Sequence, residues 1–276
     1  MSIKQLFKLS PLSAAIKVPS LGLLLAVAAQ AHAAHEVVGP GESKTIGSGE
    51  TIKDWALLKG SALTVNGATT GAIHGIGAQL TVNSASTIER IVAQEGSTVT
   101  IGGATVKFDG ANAGASVTQL GVLNLHDTLV QGTAAGSTGV SLLGGSAVAQ
   151  GSTLVGEQNG VRITRAAGVT GDGTLVLDRS TVEGKTGAAI QVAGRPGRVP
   201  TATIEVNNGS QLIGGNGNLL EVTGGATGNM SVSNSHLNGN VLVEAGSHAN
   251  LSLQNNASLT GALLNVDSLS IGDHSY

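Results

Sequence analysis

The chain of 276 residues contains no cysteine and has few aromatic or charged side chains. Without cysteine it can form neither disulfides nor thiolate metal sites, which excludes the small secreted domains held together by disulfides. Aromatic residues make up 1% of the chain and charged residues 11%, so a thick core filled by large rings is excluded too. Disorder is also excluded, because 41% of the residues are hydrophobic.

Glycine and small apolar residues are abundant instead, and the apolar residues follow a repeated phrase. In this phrase, two apolar residues separated by a single residue precede a small polar corner, and another apolar residue follows the corner. The phrase occurs at residues 63–67, 80–88, 99–106, 175–182, 204–212, 230–237 and 251–259, and it begins again at 269–271. A repeat of roughly 17 to 29 residues indicates a solenoid, in which each unit buries its apolar side against its neighbours.

The phrase alternates with period 2, which predicts a strand with Leu251 and Leu253 on one face and Ser252 on the other. Its corners are Asn, Asp, Gly and Ser, which tolerate left-handed backbone. A second apolar stretch lies between phrases, as at 160–163 and 189–192. We therefore expect an all-β fold, a right-handed single-stranded parallel β-helix of roughly ten coils with about three strands each. The alternative, a left-handed β-helix, would show a strict six-residue rhythm.

Residues 1–33 have the pattern of a Sec signal peptide, with cleavage expected between Ala33 and Ala34. Three lysines precede the apolar run 21–29, and small residues occupy positions 31 and 33. A membrane anchor is the alternative, but a spanning helix needs roughly 20 apolar residues. We expect export to the periplasm and no transmembrane segment in residues 34–276.

The charge balance bears on the partners of the mature chain. The formal net charge is −3, and loss of Lys4, Lys8 and Lys17 with the signal peptide changes it to −6. A mildly acidic chain without a basic cluster argues against binding of nucleic acid and against electrostatic binding to membranes.

The variable length of the repeat indicates that extra residues are placed in corner loops. The largest excesses lie near 133–137 and 194–200. Within the second, Arg195, Pro196, Gly197 and Arg198 combine turn composition with positive charge, and they are the best candidate for a protruding loop. Such a loop is either a recognition element or a solvated insertion.

Catalytic and metal-binding patterns are weak, so we expect no enzyme, no cofactor and no metal site. Glycoside hydrolysis needs paired carboxylates, and the seven Asp residues occupy different repeat positions. His126 lies at a corner and is interpreted as a turn residue. Residues 214–220 resemble a calcium-binding nonapeptide, but the copy is single and Asn replaces its Asp, so a glycine-rich bend is the simpler interpretation.

Three strings in the C-terminal third resemble the passenger domain of pertactin-like autotransporters. They are Thr186-Gly187-Ala188-Ala189-Ile190-Gln191-Val192, the run from Gly217 to Gly225, and the run from Gly261 to Ile271. The repeat style is similar over most of residues 45–276.

The resemblance implies a non-enzymatic passenger, residues 34–276, of a type V secretion protein. Its expected role is adhesion and virulence-type contact with a host-cell or abiotic surface, at the cell surface or in secreted form. Such passengers continue into an outer-membrane β-barrel, which this chain lacks, so we expect the passenger to be incomplete at its C-terminus. The alternative function is an exported β-helix that binds or cleaves polysaccharide.

Overall fold

A computed structural model describes residues 35–169 and 171–276, and this part of the chain contains strands and no helix. One sheet of 11 strands contains the repeated phrases. We name it the phrase sheet, and its strands are β2 (Ser43–Gly47), β4 (Ala62–Asn66), β6 (Gln79–Val82), β8 (Thr98–Gly102), β11 (Val122–His126), β14 (Ser146–Gln150), β17 (Gly173–Asp178), β20 (Thr201–Asn207), β23 (Thr227–Ser233), β26 (His248–Gln254) and β29 (Ser268–Ile271).

A second sheet of 16 strands forks after its first four strands. The shared strands are β1 (His35–Val38), β3 (Asp54–Leu57), β5 (Thr69–Ile76) and β7 (Thr87–Gln94). One arm contains β9 (Thr105–Phe108), β12 (Leu129–Gly132), β15 (Thr153–Gly156), β18 (Thr181–Gly184) and β21 (Gln211–Gly214). The other contains β10 (Ala113–Thr118), β13 (Thr138–Leu143), β16 (Asn159–Thr164), β19 (Ile190–Ala193), β22 (Asn218–Thr223), β25 (Asn240–Val243) and β28 (Leu263–Leu264). A short separate sheet pairs β24 (His236–Asn238) with β27 (Ser258–Thr260).

All of these strand pairs are parallel and join successive turns of the chain, which confirms the parallel β-helix. Leu63 of β4 lies in register with Leu80 of β6, and Leu175 of β17 lies in register with Ile204 of β20, so the second of these coils is much longer than the first. The 11 strands of the phrase sheet give 11 coils, close to the expected ten. At about 4.8 Å per coil, the stack extends about 50 Å.

The core is a set of apolar columns that run from coil to coil inside the helix. Leu123, Leu125, Leu175 and Leu177 are fully buried, and the residues between them on each strand face outward. This alternation is the one that the period-2 phrase predicts, because successive side chains of a strand point to opposite faces. The interior is tightly filled: the space between Leu57, Ile73 and Leu80 has no room for a water molecule.

The corner after the phrase sheet turns on one or two residues with positive φ, and most of them are the small polar residues expected there. Gly67, Asp127, Arg179 and Asn234 have φ angles of 63°, 47°, 50° and 48° at this corner. Asn, Asp and Gly tolerate this left-handed region best. The chain thereby turns sharply in every coil without interrupting the strand ladders.

In the later coils, a buried hydroxyl next to this corner links one coil to the coil before it. Ser152 Oγ accepts a hydrogen bond from the backbone N–H of Thr128 at 3.1 Å, and Ser180 Oγ accepts one from Ser152 N–H at 3.0 Å. Ser210 Oγ in turn accepts one from Ser180 N–H at 3.1 Å. Because buried N–H groups need partners, this ladder allows the tight corner to be buried.

Three separate strands per coil are found in the later coils, where the sheet has forked. In the third and fourth coils the first two strands are merged into the eight-residue strands β5 and β7. Residues Thr87 and Ile88 of β7 pair with β9, while residues 91–93 pair with β10. The predicted three-strand coil is therefore correct for the later coils, and the early coils have a simpler cross-section.

A candidate arginine-rich surface

The sequence-predicted loop is an exposed β-hairpin between β19 and β20. Arg195 and Arg198 form an antiparallel bridge, in which Arg195 N–H donates to Arg198 O at 3.2 Å and Arg198 N–H donates to Arg195 O at 2.8 Å. Pro196 followed by Gly197, whose φ is 71°, is the pattern of a type II turn. The loop residues from Pro196 to Val199 are exposed, and Arg195 is exposed as well.

A third arginine, which sequence reasoning missed, lies on the strand beside this hairpin. Arg162 of β16 is in register with Ser141 on one side and with Gln191 on the other, and it faces outward. Its side chain is half-buried, and its Nε–H is buried without a hydrogen-bond partner in the described part of the chain. Burial, and after it the positive charge of Arg195, lowers the pKa of Arg162. The hairpin begins two residues after β19, the strand that pairs with β16 beside Arg162, so it extends from the coil next to this arginine.

The fourth arginine of this region has a partner and a structural role. Arg165, just after β16, donates from Nη2 to Asp172 Oδ1 at 2.7 Å. The same Asp172 oxygen accepts a hydrogen bond from the backbone N–H of Thr201 at 3.3 Å. Asp172 thus joins the segment before β17 to the base of the hairpin, so the hairpin is anchored to the neighbouring coil.

Arg162, Arg195 and Arg198, together with Ser141 and Gln191, form a surface that we name the arginine face. Across residues 35–169 and 171–276, none of the three guanidinium groups is in an ion pair with a carboxylate. The arginine face is locally positive within an acidic chain.

Glu221 is the nearest acidic residue along the outward column that contains Arg162 and Gln191, and its carboxylate is hydrogen-bonded to other residues. Glu221 is in register with Gln191 and is therefore two strand spacings, about 9.6 Å, from Arg162. Its Oε1 accepts hydrogen bonds from the amides of Asn216 and Asn218, each at 2.7 Å. Both asparagines belong to residues 214–220, the segment that resembles a calcium-binding nonapeptide. Their amides hydrogen-bond to Glu221 within a glycine-rich bend.

A second polar cluster lies in the first three coils, and its groups are paired with one another. Asp54 is 8% exposed, and its Oδ1 accepts a hydrogen bond from Ala72 N–H at 2.8 Å. Ion pairs with Lys44 and Lys53 lower the pKa of Glu36. These contacts link β1, β2, β3 and β5, which makes the cluster a structural feature of the early coils.

His74 of β5 lies in this region and is held neutral. Burial lowers the pKa of His74 to about 4, and the charge of Arg90 acts in the same direction, while Asp54 acts against it. The residue is in register with Ala56 and Val92, so apolar neighbours flank its ring. A histidine with this pKa is uncharged at neutral pH.

The residues weighed for catalysis are placed apart from one another. His126 ends β11 and is exposed beside the corner residue Asp127, and Asp178 ends β17. Within the described ranges, no group of three His, Asp or Glu side chains has the arrangement of a metal site. The expectation of no catalytic, cofactor or metal residues stays a prediction.

The predicted signal peptide and its cleavage residues Ala33 and Ala34 lie outside the described residues. In the part that the structure describes, no helix has the length and apolar character needed to cross a membrane. No family model, curated protein or solved structure matches this chain.

Proposed function

We propose that the chain is a non-enzymatic autotransporter passenger, exported through a Sec signal and displayed on a Gram-negative cell for attachment to a surface. The observation that carries the proposal is a parallel β-helix in which the core columns are constant while the corner loops differ from coil to coil. Such a scaffold presents loops at defined positions over a length of about 50 Å. Function then depends on what the loops contact.

The strings that resemble pertactin-like passengers occupy the later coils. Residues 186–192 lead into and form β19, residues 217–225 contain β22, and residues 261–271 form the last coil. Ile190, Leu220 and Val222 are buried in the first two strings, whereas residues 261–271 are exposed or half-buried. The strings support a shared architecture and therefore the display function that depends on it.

A specific observation also favours the second candidate, a polysaccharide-binding exported β-helix. The arginine face offers cations without carboxylate partners beside uncharged hydroxyl and amide groups. These groups suit binding of an acidic polymer. Cleavage would need two carboxylates held a few ångströms apart as well.

Two experiments test display and polysaccharide cleavage separately. The first reads the gene downstream of codon 276: an in-frame outer-membrane translocator is expected, and a frame that ends without one would overturn display as an autotransporter. The second incubates the exported chain with a panel of acidic polysaccharides and measures new reducing ends. We expect none, and time-dependent release of oligosaccharides would establish the enzymatic alternative.

A further inference from the structure

We propose that the arginine face is a binding site for an acidic polysaccharide, whose sulfate or carboxylate groups contact the paired hairpin residues Arg195 and Arg198 and, along the same polymer, Arg162 of the neighbouring coil. The inference rests on the proposed function, since it assigns a ligand class to the surface contact of the displayed chain. It goes beyond that function by naming the residues and the chemistry.

The hairpin places two positively charged side chains opposite each other, where they repel one another. Arg195 and Arg198 are directly opposite each other across the bridge, and side chains in that relation have Cβ atoms about 5 Å apart on the same face. Like charges in this arrangement destabilise a hairpin. An oxyanion between the two guanidinium groups turns the repulsion into two charge-assisted hydrogen bonds.

Arg162 supplies a third guanidinium from the neighbouring coil. Its side chain is half-buried, and its Nε–H is fully buried and has no partner in the described ranges. Because the buried Nε–H is closed to a ligand, an oxyanion binds the exposed part of this half-buried guanidinium. Arg165 is excluded from the site because Asp172 already neutralises it.

The surroundings of Arg162 suit the hydroxyl groups of a sugar polymer. Ser141 and Gln191 flank Arg162 in register, at about 4.8 Å on either side, and offer a hydroxyl and an amide to sugar hydroxyl groups. The surface is open and carries three charges, so several moderate contacts along one chain are needed for affinity.

The test measures equilibrium binding of the full exported chain to immobilised heparin, which is sulfated, and to polygalacturonate, which carries carboxylates. Neutral dextran, single-stranded DNA and vesicles with anionic lipid are the comparison ligands. The variants are Arg195→Gln with Arg198→Gln, Arg162→Gln alone, and Arg179→Gln as the matched control. Arg179 is an arginine at a corner outside the arginine face, with a side chain that is 69% exposed.

We expect binding to at least one of the two acidic polysaccharides, and their relative affinities identify the preferred group. The hairpin double variant and Arg162→Gln should each weaken this binding by about tenfold or more, while Arg179→Gln stays within about twofold of the unmodified chain. Binding should weaken with added salt, and the hairpin variant should depend less on salt.

Three outcomes would overturn the inference. They are an absence of binding to both acidic polysaccharides at low salt, an equal loss in Arg179→Gln, and binding to DNA or anionic vesicles that is as tight as binding to the polysaccharides. Because the variants at 195 and 198 alter only exposed side chains, their loss of binding does not depend on folding. The downstream reading frame is tested separately, so a protein with a translocator but no polysaccharide binding would refute this inference alone.

Discussion

The early and the later coils share the same kind of core but differ in length. In the early coils, in-register positions of the phrase sheet follow one another closely along the chain, as from Leu63 to Leu80 to Val99. In the later coils they lie farther apart, as from Leu175 to Ile204. In the short coils one bent strand such as β7 covers two sides. In the long coils those sides are separate strands, with loops between them.

The difference shows where length can be added to such a fold. Leu80 in a short coil and Leu175 in a long coil are both buried in the same column, although the coils around them differ in length. Parallel strands must stay in register to keep their hydrogen bonds, so insertions are confined to corners. The later region therefore offers more surface for function.

The two regions also treat their charges differently. In the early coils Lys44 and Lys53 pair with Glu36, and Arg90 donates from Nε to Ala113 O and stacks over Phe108. In the later coils the three arginines of the arginine face have no ion-pair partner among the described residues. Both regions thus use charge to hold segments together, as Arg165 does with Asp172, but the described later coils also contain three arginines without such a pair.

The largest expected effect tests whether the core is one continuous column. Leu63→Ala in a short coil and Leu175→Ala in a long coil each remove a side chain that is 1% or less exposed. Each should lower the free energy of unfolding by about 2 to 5 kcal/mol, measured by urea titration, because a cavity is left behind. Val176→Ala, on the outward side of β17, is the control with a small effect. A negligible loss in either region would contradict a shared core.

The next effect concerns pH and the early coils alone. The pKa of His74 is about 4 when folded and about 6.5 when unfolded, so the unfolded chain binds the proton first as pH falls. Stability should be full above about pH 6.5 and should fall by up to about 3 kcal/mol as pH decreases to about 4. His74→Gln should flatten this dependence, and His126→Gln, at an exposed corner, should leave it unchanged. Urea unfolding midpoints measured at several pH values test this prediction. If the midpoint changed with pH equally in His74→Gln and in the unmodified chain, the assigned role of His74 would be refuted.

A smaller effect tests the hydroxyl ladder of the later coils. Ser180→Ala removes the acceptor for Ser152 N–H and should lower the free energy of unfolding by about 1 to 2 kcal/mol. Ala104 is buried at the equivalent corner of the fourth coil, so a corner without a hydroxyl still folds. Ser231→Ala, on the outward side of β23, should change stability by less than about 0.5 kcal/mol. If both variants behaved alike, the ladder would contribute nothing to stability.

The smallest expected effect tests the tolerance of the loops. Two glycines inserted after Gly197, at the exposed tip of the hairpin, should change the free energy of unfolding by less than about 0.5 kcal/mol. The same insertion after Thr81, within β6 of a short coil, should unfold its coil, because it breaks the register with β4 and β8. Circular dichroism and urea titration compare the two proteins. A tip insertion as damaging as the strand insertion would contradict the view that corners absorb length.

Much of the architecture could be predicted because the signal is local. The alternation at Leu251, Ser252 and Leu253 predicts one buried and one outward face, and the structure confirms it. The fork after β7 could not be predicted, because merged and separate strands share the same period of 2. Whether a bend interrupts a strand depends on hydrogen bonds from the neighbouring coil, which no local pattern shows.

The candidate site was predicted in part for a related reason. The hairpin from Arg195 to Arg198 has a local signature, Pro and Gly between two arginines. Arg162 was missed, because its strand has an ordinary apolar pattern and belongs to an earlier coil of the chain. One available signal was the placement of five of the six arginines between positions 162 and 198, with neither Lys nor Arg after that point.

By itself, the sequence determined the repeat, the inward columns, the polar corners and the exposed turn of the hairpin, since each follows from side chains that are close together along the chain. Only the tertiary structure decided which residues of different coils lie side by side. Because the length of the coils varies, the register that places Arg162 next to Gln191, on the strand that leads into the hairpin, is set by backbone pairing. That register turns scattered arginines into one surface.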